Sequence, residues 1–172
     1  TDPTYADCIG YAYTLHTAFL IFNMEQEPFG SNKALREAVF AAMDTQAVLE
    51  LLQNRASYAD RLLLPGMLGG GEPCTESPRN IELAKQKMAE AGYPDGIDEV
   101  FDVITPAWNN NIKILEIYQQ NLKEIGININ IGAMDNSAYN EARNNGQFKI
   151  AWGNVVAAYP DPDAMVYPTF YS

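Results

Sequence analysis

Residues 100–131 read as strand, helix, strand, and this pattern restricts the fold more than any other part of the chain. Residues 100–104 are a short, mostly apolar run, and residues 109–125 repeat apolar side chains at helical spacing until Gly126. Isoleucines then alternate with asparagines over 127–131, which is the period of a strand. Two strands joined in this way pair in parallel through a right-handed crossover. The sequence therefore predicts an α/β fold.

Other segments extend this unit. Residues 11–24, rich in aromatic and β-branched side chains, predict a further strand. A short helix over 137–144 and a strand over 147–152 repeat the helix–strand order. Three more helices are expected after polar caps at Ser31 or Asn32, at Asp44, and at Ser77 with Pro78 in the first turn.

Length and charge limit the classes of function. The chain has 172 residues, enough for one domain with its own core. Its net charge of −11 argues against a nucleic-acid partner, because a phosphate backbone requires a basic surface. The sequence contains no run of about 18 apolar residues, so it predicts no membrane span. Residues 1–10 lack the basic start and apolar core of a signal peptide, so an exported protein would carry its signal upstream.

Residues suited to catalysis are scarce. The one histidine, His16, stands in a predicted strand, and no Ser-His-Asp or Cys-His set can be assembled around it. Asp161 and Asp163 stand beside prolines, which favours a rigid turn over paired carboxylates or a calcium site. We therefore expect no enzyme activity. The alternative is a stand-alone hydrolase-like domain that uses these three side chains.

Metal and cofactor sites are not expected either. Cys8 and Cys74 are far apart, without a C-x-x-C partner, and fit one disulfide or two free thiols. The three glycines at 69–71 lack the Lys-Ser/Thr that follows a phosphate-binding loop, so a flexible surface loop is the better account.

The loops after the strands are the first candidates for a binding site, because ligands of open α/β sheets lie beyond the carboxyl ends of the strands. We expect these loops at 105–109 and 152–154, where Trp108 stands beside Asn109 and Trp152 near Asn154. Tryptophan beside hydrogen-bonding groups suits a sugar ring, a peptide or another amphipathic solute. The alternative is that both tryptophans only cover the edge of the sheet.

Arg143 and the end of the chain add two further expectations. Arg143 is an isolated arginine that could bind a carboxylate with two hydrogen bonds, or simply lie at a helix end. The apolar run 148–158 breaks at Tyr159-Pro160, and the last residues are aromatic without a charged tail. This ending favours one lobe of a two-lobed ligand-binding protein.

Several segments resemble one family, in the same order along about residues 19–172. They are FNMEQEPFGSNKALREAVFAAMDTQAVLE, GMLG, ELAKQKMAEAGYPDG, IYQQNLKEIGININI, AYNEARNNGQFKIAW and AYPDPDAMVYPTFYS. The chain resembles the extracellular solute-binding proteins of the peptide/nickel ABC-transporter class, the dipeptide- and oligopeptide-binding protein family.

The resemblance implies a fold and a function. Residues 1–172 would form a single lobe of the type II periplasmic-binding-protein kind, with a mixed, mostly parallel sheet flanked by helices. It would be most of the second large lobe of a longer protein whose N-terminal lobe is absent here. The two lobes would trap a peptide, oligosaccharide or similar solute and deliver it to an ABC permease. The resemblance also implies that the full-length protein is periplasmic or extracellular, with or without a lipid anchor.

The resemblance also implies where the solute binds, with departures from the family pattern. Ala158 stands before Tyr159, where peptide binders carry the aspartate that holds the ligand's amino group. Asn110 falls where such binders can carry a histidine, and Trp152 where they can carry an arginine, whereas Arg143 matches one of their arginines. These departures favour a neutral or sugar-like solute, and nickel is the least supported. A docking or sensory module without solute binding is the remaining alternative.

Overall fold

Strands and helices alternate along the part of the chain that the computed structural model describes, which is residues 14–53, 55–71 and 79–170. The strands are β1 (His16–Phe22), β2 (Val100–Pro106), β3 (Asn128–Met134) and β4 (Ile150–Val156). The helices are α1 (Lys33–Ala42), α2 (Thr45–Leu51), α3 (Ile81–Glu90), α4 (Asn109–Lys123), α5 (Asn136–Asn144) and α6 (Asp163–Phe170).

The four strands form one sheet in the order β1-β4-β2-β3. β2 pairs in parallel with both β3 and β4, and β1 runs antiparallel at the edge of the sheet beside β4. The β1–β4 register opens with His16 opposite Val156 and closes with Phe22 opposite Ile150. The predicted mixed, mostly parallel sheet flanked by helices is therefore confirmed.

The main core fills one face of this sheet. Helices α1, α3 and α4 cover that face because each places an apolar stripe on it, and α2 adds Val48. Phe29, from the loop before α1, is fully buried there and its ring contacts the rings of Phe22 and Phe101. On the opposite face, Tyr139 of α5 packs with Ile104 and Ala151. The sheet thus has a helical layer on both sides, as expected for parallel strands.

Polar caps fix where most of the helices begin. The side chains of Asn32 and Asp44 accept backbone N–H groups of α1 and α2, as the sequence predicts. The predicted start of α3 at Ser77 is wrong, because Asn80 is the cap and the helix begins at Ile81. Ser77 and Pro78 themselves lie outside the described residues, as do Cys8 and Cys74.

The end of the chain contains more regular structure than the sequence indicates. The rigid turn predicted around Asp161 and Asp163 is present, with the Asp163 N–H donating to Asp161 Oδ1 at 2.9 Å. It leads directly into α6, whose Met165 packs with Met67 from the loop before α3. Within the described residues, no helix has both the length and the apolar character that a membrane crossing requires.

Candidate functional site

The carboxyl edge of the sheet is the edge at which β2, β3 and β4 end, and it gathers loops from three places in the sequence. The loop after β2 carries Trp108, β3 ends at Met134, and β4 ends at Val156. Because β1 runs antiparallel, its first residue, His16, lies at this same edge opposite Val156. Residues at 16, 105–110, 134–135 and 154–159 therefore meet here.

Trp108 is the most prominent side chain of the loop after β2. It caps α4 without a side-chain hydrogen bond, and half of its surface is exposed, at 50%. Two backbone hydrogen bonds fix this loop. The Ala107 N–H donates to the Met134 carbonyl at 2.8 Å, and the Trp108 N–H donates to the Pro106 carbonyl at 2.7 Å. A fixed backbone under an exposed indole ring makes a preorganised contact surface.

Residues with amide side chains follow Trp108 directly in the chain. Asn109 and Asn110 form the exposed first turn of α4, as the sequence predicts. Asn111, which follows them, is buried and donates to the Thr105 hydroxyl at 3.4 Å, so it supports the loop instead of facing solvent. Two exposed amides beside an exposed ring offer both donors and acceptors to an amphipathic molecule.

The end of β4 supplies the second half of the edge. Asn154 Nδ2 lies 3.5 Å from His16 Nε2, and Val156 and Tyr159 are exposed at 64% and 49%. Val156, Ala158 and Tyr159 line a hollow of about 280 Å³ together with Asp163, Ala164 and Tyr167 of α6. We call this the α6 hollow.

The electrostatics of the α6 hollow are set by Asp163. The Tyr159 hydroxyl donates to Asp163 Oδ2 at 3.3 Å. The charge of Asp163 and this hydrogen bond raise the pKa of Tyr159 above its ordinary value. Tyr159 is therefore a neutral hydroxyl at physiological pH, and Asp163 carries the negative charge of the hollow.

The predicted loop at 152–154 is wrong. β4 continues to Val156, because β1 pairs with it along the whole length from Ile150 to Val156. Trp152 lies in the middle of this strand, is only 6% exposed, and belongs to the main core. Its carbonyl accepts the Tyr139 hydroxyl. Solute contact by Trp152 stays a prediction, and its burial does not support it.

Arg143 also lies away from the carboxyl edge. α5 starts after β3 and runs back towards the opposite edge, where Asn23, just after β1, donates to the carbonyls of Gly146 and Phe148 at 3.0 Å each. The Arg143 guanidinium lies 5.9 Å from the centroid of the Tyr139 ring. A direct contact with the solute stays a prediction for Arg143 too, and the direction of α5 does not support it.

Sequence reasoning did not place Val156, His16 or Asp163 at this edge: it left Val156 out, and it considered His16 and Asp163 only for the hydrolase alternative. A lone histidine in a strand is more often a structural residue than a base, and only the antiparallel pairing of β1 with β4 brings His16 to this edge. Asp161 and Asp163, the acids of the hydrolase alternative, have partners of other kinds. Asp161 accepts the N–H of Asp163, and Asp163 accepts the hydroxyl of Tyr159. Over the ranges that the structure describes, no three His, Cys, Asp or Glu side chains form a metal-binding group.

A larger hollow, of about 360 Å³, lies at the opposite, amino edge of the sheet. Its charged side chains include Glu99 and Lys149, which pair with each other at 2.5 Å. The Lys149 ammonium also lies 5.5 Å from the centroid of the Phe101 ring. Because this pair neutralises itself and no strand-end loop of the carboxyl edge reaches it, we assign the candidate site to the carboxyl edge.

Two curated relatives match this chain in sequence. Heme-binding protein A of Haemophilus influenzae is 28% identical over 158 residues, which are 90% of this chain and 29% of that protein. The glutathione-binding protein GsiB of Salmonella choleraesuis is 31% identical over 122 residues, 68% of this chain and 22% of that protein. The chain thus spans less than a third of the length of these relatives.

A solved structure and a family model extend the match. The periplasmic oligopeptide-binding protein OppAIV of Borrelia burgdorferi superposes with a TM-score of 0.78 at 27% identity, over 90% of this chain and 32% of that protein. The family model described as bacterial extracellular solute-binding proteins, family 5, middle part, matches residues 4–172. The chain therefore belongs to the family 5 bacterial extracellular solute-binding proteins.

Proposed function

We propose that this chain is one lobe of a two-lobed solute-binding protein that serves an ABC importer, and that the carboxyl edge is its half of the solute cleft. The observation that carries the proposal is the exposure of Trp108 and Tyr159 at the edge where open α/β sheets bind ligands. Membership of a solute-binding family supports the same reading.

An edge of this kind needs a second surface to enclose a molecule. Trp108, Asn109 and Asn110 on one side, and Asn154, Ala158 and Tyr159 on the other, face solvent or are only partly covered within this chain. Ligand pockets generally bury most of the ligand surface. We infer that a second lobe closes over this edge, and that the solute favours the closed state through contacts with both lobes.

The chemistry of the edge favours an amphipathic solute such as a peptide or an oligosaccharide. The indole of Trp108 offers a stacking surface, and the neighbouring amides offer hydrogen bonds. The relatives carry names for heme, glutathione and oligopeptide binding, so family membership leaves the solute open. The solved relative is described as periplasmic, which supports a location of this protein outside the cytoplasmic membrane, beside a permease. A lipid anchor on the full-length protein is part of the same proposal.

A thermal-shift screen of the full-length protein tests this function. The panel contains di- to tetrapeptides, glutathione, oligosaccharides, heme and nickel. A ligand that binds only the folded state raises the melting temperature by mass action. We expect a rise with at least one organic solute in the wild type, and a smaller rise in Trp108→Ala. No rise with any member would contradict the proposal and favour a docking or sensory module.

The control for this screen replaces another exposed apolar side chain, in a place that the solute does not reach. Met24→Ala changes an exposed apolar side chain just beyond the amino edge, far from Trp108. We expect this variant to keep the wild-type rise. An equal loss in both variants would mean that the loss reflects stability and not contact with the solute.

A further inference from the structure

The turn between α5 and β4 contains the one Asn-Gly pair of the chain, Asn145-Gly146. Asn145 is exposed, and Gly146 is partly buried beside the hollow at the amino edge. An asparagine loses its side-chain amide most readily when glycine follows it. Glycine has no side chain that would keep its own backbone nitrogen away from the asparagine amide.

The reaction at this pair would be deamidation. The backbone nitrogen of Gly146 attacks the side-chain carbonyl carbon, Cγ, of Asn145. A new N–C bond forms, the C–N bond of the amide breaks, and ammonia leaves. Water then opens the resulting succinimide ring at one of its two carbonyls, which gives aspartate or isoaspartate. Either product carries a negative charge at neutral pH that asparagine lacks.

The end of α5 keeps the attacking nitrogen engaged. Gly146 has a positive φ of 65° and follows the cap residue Asn145, as in a Schellman motif. Its N–H donates to the Arg143 carbonyl at 3.2 Å, and the N–H of Gln147 donates to the Ala142 carbonyl at 2.8 Å. The turn must therefore open before the Gly146 nitrogen can reach the Asn145 side chain.

Asn23, just after β1, fixes the same turn from outside α5. Its Nδ2 donates to the carbonyls of Gly146 and Phe148 at 3.0 Å each, and its backbone N–H donates to the Lys149 carbonyl at 3.0 Å. Asn23 and Gly146 are 123 positions apart, so this contact exists only in the folded chain. The bond to the Gly146 carbonyl restricts rotation of the residue whose nitrogen attacks.

We propose that Asn145-Gly146 is a site of spontaneous deamidation and that the side chain of Asn23 restrains the reaction. The consequence is local to the start of β4. Isoaspartate at position 145 lengthens the backbone by one carbon, which separates the Gln147 N–H from the Ala142 carbonyl that it now meets. The reaction needs neither the solute nor a second lobe, so it is independent of the proposed function.

Tryptic peptide mapping of the full-length protein, after incubation at mildly alkaline pH, measures the reaction at each asparagine. Cleavage after Arg143 and Lys149 releases residues 144–149. Deamidation replaces an NH₂ group by OH, so mass spectrometry detects it and fragmentation locates it. We expect Asn23→Ala to raise the rate at Asn145 about tenfold, since it removes two hydrogen bonds that keep the turn closed.

Asn136 is the internal control, because it precedes Ser137 at the other end of α5 and lies in the preceding tryptic peptide, 124–143. A general loosening of the fold would speed both sites, whereas loss of the Asn23 contact should speed Asn145 alone. Asn140→Ala is the matched control variant, since it removes an exposed amide from α5 itself. It should leave the rate at Asn145 equal to that of the wild type.

A comparison without any variant covers the case in which Asn23→Ala fails to fold by circular dichroism. The synthetic peptide 144–149 gives the unrestrained rate, and we expect Asn145 in the folded wild type to react at least about tenfold more slowly. Three results would overturn the proposal: equal rates at Asn145 in the wild type and Asn23→Ala, an equal increase at Asn136 and Asn145, or a wild-type rate equal to that of the peptide.

Discussion

Gly96 and Gly126 lie so close together that a Cβ atom on Gly126 would stand 2.6 Å from the Cα atom of Gly96. The reverse also holds, since a Cβ atom on Gly96 would meet the Gly126 carbonyl oxygen at 2.6 Å. The Ile97 N–H donates to that same carbonyl at 2.9 Å. This contact joins the turn before β2 to the end of α4 and so sets where the crossover unit begins.

We therefore expect Gly126→Ala to lower the free energy of unfolding by about 2–4 kcal/mol, through backbone overlap added to a positive φ. Gly92→Ala is the control, because Gly92 has a similar φ of 89° but nothing within 4 Å of its Cβ position. It should cost about 1 kcal/mol. Urea unfolding measures both variants, and equal losses would show that the contact with Gly96 adds nothing.

The two tryptophans should separate binding from stability. Trp108→Ala removes a half-exposed ring from the carboxyl edge, so we expect solute binding by the full-length protein to weaken by about 1–3 kcal/mol with little change in unfolding. Trp152→Ala removes a core side chain and should lower stability by about 3–5 kcal/mol. Calorimetric titration and thermal unfolding measure the two effects. Unchanged affinity in a folded Trp108→Ala protein would remove Trp108 from the site.

Tyr118 should make the chain sensitive to alkaline pH. Burial, with smaller contributions from Asp44 and Tyr58, raises its pKa from 10.0 to about 12. Between these values the unfolded chain loses the phenolic proton while the folded chain keeps it, so stability falls as the pH rises. The loss amounts to about 2–3 kcal/mol, at about 1.4 kcal/mol per pKa unit.

Tyr118→Phe tests this effect, since phenylalanine keeps the ring in the core and cannot ionise. Below pH 10, the difference in unfolding free energy between the wild type and this variant should be constant. Between pH 10 and 12, the unfolding free energy of the wild type should fall relative to that of the variant. Urea unfolding at pH 8, 10 and 11.5 gives the comparison. A difference that stays constant across this range would show that the Tyr118 pKa is ordinary.

The pattern that predicts the fold is local, which is why it succeeds. The apolar stripe of α4 indicates a face that must be buried, and so do the alternating isoleucines at 129 and 131. The caps Asn32 and Asp44 indicate where helices begin. The crossover between β2 and β3 follows from these signals without knowledge of distant contacts.

The site depends on relationships that local patterns do not contain. Trp152 looks like a loop residue until β1 is known to pair with β4 through Val156. His16 reaches the carboxyl edge only because β1 is antiparallel, and Asp163 reaches the α6 hollow only because α6 folds back onto the end of β4. The pairing of β1 with β4 decides the first two and the packing of α6 decides the third, and neither follows from local residue spacing.

The pairing of His16 with Val156 also determines how this chain responds to force. Because β1 and β4 are antiparallel, the chain enters β1 and leaves β4 at the same end of the ladder. Tension applied between residues 14 and 158 acts along the hydrogen bonds of this pair, which lie perpendicular to the strands. The bonds then break one after another from His16 towards Phe22, so the β1–β4 pair separates at low force in this direction despite the well-packed core.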